Sequence, residues 1–346
     1  MALVFGDSFD HYLTADIFKK WTSTSGNAPA IAANGLAPHV NAMNLVNSAA
    51  LGKVLPATIA PTFVGGFWFR TTNVSSGRMI CSFVDTGGAN IHVSVRYDST
   101  AHITLCRDAT VLATSTNTLS VDTWYHLEVK ATIGDAGDAP SGRYEVRIDG
   151  TSVNWIPDSG TGKDTRNAGA AAIGSFNLHG GANVANGHLF QDVYILNTTG
   201  AVASDFLGPC RFAVLRPVGA GTTAEWTGNY ADNWQNVADT WGDSDTTFNQ
   251  SSTAGQTDQF AMSDVPSGTV HAIQHVIMAK RDAGGARTIR PITRIGGTDY
   301  NGTTVTVAAT YAFHCEPVVF SPATGGATAW DDAELNGAEF GYELVS

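Results

Sequence analysis

Apolar and polar side chains alternate with a period of two along many short segments of the chain. In residues 123–131 (TWYHLEVKA), Leu127 and Val129 fall on one face, and His126 and Glu128 fall on the other. Such alternation predicts half-buried β-strands, and helical periodicity is almost absent. The same pattern predicts further strands in the first half at residues 65–71, 78–85, 90–97, 102–106, 110–113, 142–148, 151–156 and 188–196.

The second half of the chain also reads as strands. A strand is predicted at residues 211–218, and the following GAGTT (219–223) predicts a short flexible joint. We therefore place a domain boundary near residue 218. Residues 329–335 predict one helical turn capped by Asp331. The predicted fold class is all-β, with two β-sandwich domains at residues 1–218 and 219–346. The remaining strands of the second domain are predicted at residues 259–262, 269–280, 287–295, 303–309, 312–320 and 338–345.

Composition and charge exclude several classes of protein. The net charge is −12, and no cluster of Lys and Arg is present, which argues against a nucleic-acid-binding protein. No apolar run approaches the roughly 18–20 residues of a membrane span, so we expect no membrane insertion. The first residues lack a basic n-region and an apolar h-region, so we expect no signal peptide.

The carboxylates do not have the spacing of a glycan-cleaving enzyme. Glycosidases place two carboxyl groups about 5–9.5 Å apart, and residues two apart on one strand supply such a pair. Glu128 is alone on its predicted strand, and Glu145 and Asp149 straddle a turn. We therefore expect no enzymatic activity and no catalytic residues.

Calcium is the one cofactor that the sequence leaves open, and otherwise no cofactor is expected. Hard cations bind convergent oxygens of Asp, Asn and backbone carbonyls. Two loops offer such oxygens, one with Asp243 and Asp245 and one with Asp85 and Asn90. Solvated turn residues are the alternative interpretation of both loops.

The four cysteines show no metal-binding spacing and no disulfide framework. We expect reduced, mostly buried thiols. Cys81 and Cys106 fall on predicted strands that we expect to be neighbours, and a bond between them stays open.

Several motifs of the first domain resemble a known family. FGDSFDHY (residues 5–12) followed by KKW (19–21) resembles the start of laminin-G-like, concanavalin-A-like domains in proteins of tailed phages. The resemblance implies a concanavalin-A-like jelly roll for residues 1–218. In such sandwiches the first and last strands lie side by side, so residues 4–9 should pair near residues 190–195. The supporting matches, in the same order along residues 1–200, are GFWFR (66–70), WYHLE (124–128), YEVRIDG (144–150) and QDVYIL (191–196).

The second domain is similar to a module that recurs at the C-terminus of phage structural proteins. Its marks are DTTFNQSS (245–252), RTIRP (287–291), Trp330, ELN (334–336) and EFG (339–341). The resemblance implies a virion structural protein, made in the host cytoplasm and exposed on the particle at the tail tip, on a tail fibre or as a head decoration. It further implies other virion proteins as partners, and we expect a homo-oligomer.

Two functions remain open for such a protein. In the first, the sandwich aids host attachment by binding a surface polysaccharide through loops at one edge, with an aromatic ring to stack on a sugar and Asn or Asp to bond its hydroxyls. In the second, the sandwich is purely architectural and binds no glycan. A glycan-cleaving enzyme is a third and disfavoured alternative. The candidate glycan-binding residues are Asp85, Asn90, Trp155, Asn177 and His179. For Trp155, a packed position in its hairpin is the alternative interpretation.

Overall fold

In the computed structural model the chain is built almost entirely of β-strands. The structure describes residues 3–37, 40–137, 139, 141–181, 187–282, 284–326 and 328–346. The chain divides into two compact units, Met1–Phe212 and Ala213–Ser346, whereas the sequence predicted a boundary near residue 218. Within the described residues, no helix has the length and apolar character needed to cross a membrane.

The first unit contains strands β1 to β15 and one short helix. Their bounds are β1 (Leu3–Asp7), α1 (Ile17–Lys20), β2 (Ser23–Ser25), β3 (Ala30–Ala32), β4 (Ala42–Leu45), β5 (Ala50–Ile59), β6 (Thr62–Thr71), β7 (Arg78–Val84), β8 (Ile91–Tyr97), β9 (His102–Arg107), β10 (Thr110–Thr118), β11 (Trp124–Thr132), β12 (Arg143–Ile148), β13 (Thr151–Ile156), β14 (Ile173–His179) and β15 (His188–Asn197).

These strands form two sheets with a core between them. The order of the first sheet is β13-β12-β11-β6-β15-β4-β3, with β1 also paired to β15, and that of the second is β10-β9-β8-β7-β14-β5-β2. Buried aromatic rings join the sheets: the ring centroids of Phe63 and Phe83 lie 4.2 Å apart, and those of Phe67 and Phe176 lie 6.3 Å apart. The all-β fold class is therefore confirmed, with a two-layer sandwich in this unit.

The expected neighbourhood of the first and last strands is also confirmed. Strand β1 runs antiparallel to β15, with Phe5 opposite Ile195 and Asp7 opposite Val193. The first and last strands of the sandwich therefore lie side by side in one sheet.

The opening motif is a buried polar anchor beside this pairing. The Oδ2 atom of Asp7 accepts hydrogen bonds from the Tyr12 hydroxyl (2.6 Å) and from Nε1 of Trp21 (2.7 Å). The ammonium of Lys20 lies 3.2 Å from Oδ1 of Asp7. Burial disfavours the charged carboxylate, but the Lys20 charge and these hydrogen bonds hold the pKa of Asp7 below its ordinary value. The motif that carried the family resemblance therefore fixes the start of the chain to the sandwich.

The arrangement of two cysteines corrects the sequence analysis. Cys81 on β7 and Cys106 on β9 are not on neighbouring strands, because β8 lies between them. Both thiols are free. Cys81 pairs with Val95, whereas Cys106 pairs with Ser94, the next residue along β8, so the two sulfur atoms point to opposite faces of the sheet.

The second unit contains strands β16 to β25 and one short helix. Their bounds are β16 (Pro217–Ala224), β17 (Thr227–Gly228), β18 (Asn249–Gln250), β19 (Thr257–Met262), β20 (Ile273–Ala279), β21 (Arg287–Ile295), β22 (Thr298–Asn301), β23 (Val305–Val307), β24 (Ala312–Val318), α2 (Asp332–Asn336) and β25 (Glu339–Leu344).

A sheet in the order β16-β19-β25-β21-β22, with β23 on β21, forms the body of this unit, and β20 and β24 form a separate two-stranded ribbon. Ile277 of the ribbon packs on Ile289, Val307 and Leu344 of the sheet. The second unit is therefore a smaller two-layer β structure.

Two local predictions in this unit have opposite outcomes. The joint predicted at residues 219–223 is wrong, because these residues lie inside β16, where they pair with β19. The strand predicted at 211–218 is likewise absent over residues 211–216. The helical turn is confirmed, and Asp331 caps α2 by accepting a hydrogen bond from the Glu334 amide at 2.8 Å.

Candidate functional site

A row of small or polar side chains crosses the outer face of the second sheet in the first unit. Phe176 and Leu178 of β14 are buried in the core, so the intervening Asn177 points outward. Backbone pairing continues this row in both directions across the sheet. From β9 to β2 it consists of Cys106, Ser94, Ser82, Asn177, Gly52 and Ser23.

Ser82 connects two residues that the sequence analysis had selected. Its hydroxyl oxygen lies 2.9 Å from Nε2 of His179 and accepts a hydrogen bond from Nδ2 of Asn177 at 3.3 Å. Gly52 makes room for this arrangement, because a Cβ atom there would lie 2.6 Å from Oδ1 of Asn177. The result is a fixed polar floor of amide, imidazole and hydroxyl groups.

An open groove of about 270 Å³ lies on the same face, beside this floor. The register of β7, β8 and β9 places Met79 next to Arg96, and Arg96 next to Thr104, one row away from Ser82 and Ser94. The groove therefore has both polar and apolar walls. Its lining includes Arg78, Met79, Arg96, Asp98, Thr104 and Val111.

Two arginines are among the residues that line the groove. Arg96 is held by hydrogen bonds from Nε to the Ser94 hydroxyl (3.2 Å) and from Nη2 to the Asp108 carbonyl (2.5 Å). Arg78 has a long contact of 3.5 Å from Nη1 to the Ser48 hydroxyl, and its Nε atom has no hydrogen-bond partner among the described residues. Both arginines thus line the groove, and among the described residues several of their N–H donors have no hydrogen-bond acceptor.

The histidines under this face are neutral near pH 7. Burial, and then the positive charge of Arg96, lower the pKa of His179 to about 4. His188 lies beneath it, with Nδ1 2.6 Å from the His179 carbonyl oxygen and Nε2 3.0 Å from the Tyr97 hydroxyl, and burial lowers its pKa to about 4 as well. The imidazole of His179 is therefore an uncharged hydrogen-bonding group.

The other candidate residues lie elsewhere. The carboxylate of Asp85 accepts hydrogen bonds from the Ala89 amide (2.9 Å), the Asn90 amide (3.1 Å) and Nδ2 of Asn90 (2.7 Å). These bonds close the turn between β7 and β8. Asp85 lies three residues beyond Ser82, roughly 10 Å along the strand.

Trp155 belongs to the other sheet. It lies on β13 with only 8% of its surface exposed, and its ring meets the edge of Tyr125 at a centroid distance of 6.3 Å. It is a packed hairpin residue, and the structure does not bring it to Asn177 and His179.

The two acidic residues of the calcium candidate in the second unit have separate partners. Lys280 Nζ lies 2.6 Å from Asp245, and Asp243 accepts a hydrogen bond from the Thr247 hydroxyl at 2.8 Å. The described part of the chain contains no group of three or more His, Cys, Asp or Glu side chains arranged to hold a metal ion.

Glu128, the isolated carboxylate of the sequence analysis, is fully buried on the outer side of the first sheet. Its Oε1 atom accepts hydrogen bonds from the Tyr194 hydroxyl (2.5 Å) and from the amides of Leu207 (2.8 Å) and Gly208 (3.0 Å). Burial raises the pKa of Glu128 above its ordinary value. The carboxylate thus fastens residues 205–212, the closing segment, over the first sheet.

The sequence did not predict Ser82 and Ser94 in the polar row, or Arg78 and Arg96 in the lining of the groove. The signal for two of them was present, because the alternation of residues 90–97 places Ser94 and Arg96 on the face opposite Val93 and Val95. What the sequence does not contain is the order of the strands that brings this face together with β14.

Comparisons with known proteins found no match to the chain by sequence and a low similarity to solved structures. No protein-family model matches it, and no curated protein matches its sequence. Among solved structures it is similar to the cellulose-induced protein Cip1, with 16% identity, a TM-score of 0.41, and coverage of 59% of this chain and 99% of that one.

The chain is also similar to the carbohydrate-binding module CBM66 from Bacillus subtilis, with 13% identity, a TM-score of 0.34, and coverage of 51% of this chain and 96% of that one. A further similarity is to the Trypanosoma rangeli sialidase in complex with 2,3-difluorosialic acid, with 14% identity, a TM-score of 0.36, and coverage of 56% of this chain and 31% of that one. Structural similarity at this level does not identify a ligand or an activity for this chain. Both must be inferred from the residues of the site.

Proposed function

We propose that this chain is a non-catalytic component of a tailed-phage virion and that the outer face of its second sheet binds a polysaccharide on the host surface. The observation that carries the binding proposal is the polar floor of Ser82, Asn177 and His179 beside an open groove. The virion assignment rests on the phage-protein motifs in both halves of the sequence, as do the expected partners, which are other virion proteins and further copies of this chain.

The polar floor and the groove beside it together offer the groups that sugar recognition needs. Sugar hydroxyls both donate and accept hydrogen bonds, and the amide of Asn177, the neutral imidazole of His179 and the hydroxyl of Thr104 can do the same. The side chains of Met79 and Val111 provide apolar wall for the C–H faces of a sugar ring. An open groove, rather than a closed cavity, suits an internal segment of a long chain.

The carboxylates support a binding role rather than hydrolysis. Asp98 is the only acidic residue among the described residues that line the groove. Its Oδ1 atom is occupied by hydrogen bonds from the amides of Thr100 (2.8 Å) and His102 (3.1 Å). Glycoside cleavage needs a second carboxyl group about 5–9.5 Å away.

The proposal is tested by the binding of labelled, purified protein to intact host cells, with and without the soluble surface polysaccharide as competitor. We expect saturable binding that the polysaccharide abolishes. Asn177→Ala should weaken it about tenfold, equivalent to about 1.4 kcal/mol. The matched control is Asn117→Ala, at an exposed position on β10, which should bind as the wild type does. Absence of binding at tens of micromolar by a folded protein would refute the glycan proposal and leave the purely architectural function.

A further inference from the structure

The arginines of the first unit divide into two groups. Six of them form ion pairs with carboxylates, and Arg78 and Arg96 have no carboxylate within 4.0 Å among the described residues. These two are also the arginines that line the groove. The paired arginines are Arg70, Arg107, Arg143, Arg147, Arg166 and Arg211.

This pattern is unusual for so acidic a chain. Acidic side chains outnumber Lys and Arg by 31 to 19, so a carboxylate partner is easily supplied wherever an arginine needs one. A guanidinium group without a carboxylate partner attracts anions. A ligand that carries negative charge would therefore supply the counter-ion that these arginines lack.

The geometry points to an acidic sugar: we propose that the polysaccharide carries anionic groups, carboxylates in the first place, and that Arg78 and Arg96 bind them. This inference rests on the proposed glycan-binding function and names the class of ligand for the same groove. Arg96 is already oriented by Ser94 and by the Asp108 carbonyl, so little side-chain freedom is lost when it binds. Arginine suits this role because its planar fork of donors matches a carboxylate or phosphate oxygen pair.

The surroundings of the two arginines favour a charged ligand over a neutral one. Among the described residues that line the groove, Tyr97 is the only aromatic one, and at 1% exposure it presents no ring face for sugar stacking. His179 is neutral and adds no charge. Asp98 lies in the wall, but its carboxylate is engaged by Thr100 within its own turn. Charge-assisted hydrogen bonds are then the strongest interactions that the groove can make.

The inference is tested with the polysaccharide purified from the host surface, used in three forms: untreated, with its carboxyl groups reduced to alcohols, and with phosphate and sulfate esters removed. Each form competes for binding of the wild-type protein to host cells. We expect carboxyl reduction to weaken the competition at least tenfold. If removal of the esters weakens the competition instead, the same arginines bind phosphate or sulfate groups. Equal competition by all three forms would overturn the inference while leaving the glycan-binding function intact.

Variants locate the charge recognition on the protein. Arg78→Gln and Arg96→Gln should each weaken binding of the untreated polysaccharide at least tenfold. Neither variant should show the preference of the wild type for the untreated polysaccharide over the carboxyl-reduced form. Arg143→Gln removes the same charge from an exposed ion pair on the first sheet and should bind as the wild type does. If both groove variants bind normally while Asn177→Ala does not, the acidic-sugar inference fails and the proposed function stands. If the wild type itself does not bind the cells, both fail together.

Discussion

Replacement of Asp7 by Asn should destabilise the first unit by about 3–5 kcal/mol, the cost of removing one partner from a buried ion pair. The side chains of Asp7 and Lys20 are 0% and 1% exposed, respectively. The substitution therefore leaves a buried ammonium without its counter-ion. It also weakens the hydrogen bonds from Tyr12 and Trp21, because their acceptor is no longer charged. A loss of this size is a large part of the roughly 5–15 kcal/mol that stabilises an ordinary domain.

The assay is urea unfolding of the full chain, with hydrogen exchange of peptides covering residues 3–25 to assign the transition to the first unit. The double variant Asp7→Asn with Lys20→Met is the matched control. Because it removes both charges, it should recover at least half of the lost free energy of unfolding. A stability of Asp7→Asn within about 0.5 kcal/mol of the wild type would refute the reasoning.

The same anchor predicts a dependence on pH. The pKa of Asp7 is lower in the folded chain than its ordinary value of 3.8. The folded state therefore binds this proton less readily than the unfolded state, and the stabilisation is complete above pH 3.8. It is lost as the pH falls through the folded pKa. The difference in stability between the wild type and Asp7→Asn should narrow below about pH 4, and a constant difference down to pH 2 would contradict the assignment.

Three further predictions concern the two faces of the sandwich. Glu128→Ala removes the acceptor of two backbone amides, so hydrogen exchange in residues 205–212 should quicken by the equivalent of about 1–3 kcal/mol; unchanged exchange would show that the carboxylate does not fasten this segment. Trp155→Ala should lower the free energy of unfolding by about 3–5 kcal/mol, because the ring is buried, yet leave cell binding by the folded variant intact. A loss of cell binding would show that Trp155 belongs to the binding site. Gly52→Ala should weaken cell binding about tenfold, equivalent to about 1.4 kcal/mol, because the new Cβ displaces Asn177; normal binding would show that the position of this amide is unimportant.

Strands with strict alternation were predictable from the sequence, and strands without it were not. Residues 123–131 and 90–97 were found nearly to their ends as β11 and β8. Strand β5 (ALGKVLPATI) lacks a clean alternation, and β14 (IGSFNLH) follows a long Gly-rich stretch, so both were missed. Their absence from the prediction mattered, because β14 is an inner strand of the second sheet and joins β7 to β5.

The candidate site was predictable only in part. Asn177 and His179 were selected as loop residues, and they lie together on β14. Their connection to Ser82 depends on the pairing of β14 with β7, two strands that are far apart in the chain. Among the described residues, no carboxylate pairs with Arg78 or Arg96. This depends on where the carboxylates of the unit lie after folding, which no local pattern encodes.

The most direct test of the central claim uses the methionines as reporters. The chain has five, among which Met79 lines the groove, Met43 is fully buried in the first unit, and Met262 and Met278 belong to the second unit. With 13C-labelled methionine methyl groups, titration with fragments of the host polysaccharide should shift the Met79 resonance in a saturable way and leave those of Met43, Met262 and Met278 in place. A saturable shift at Met262 or Met278 with Met79 unchanged, or no shift at any of the four, would contradict a glycan site on the outer face of the second sheet.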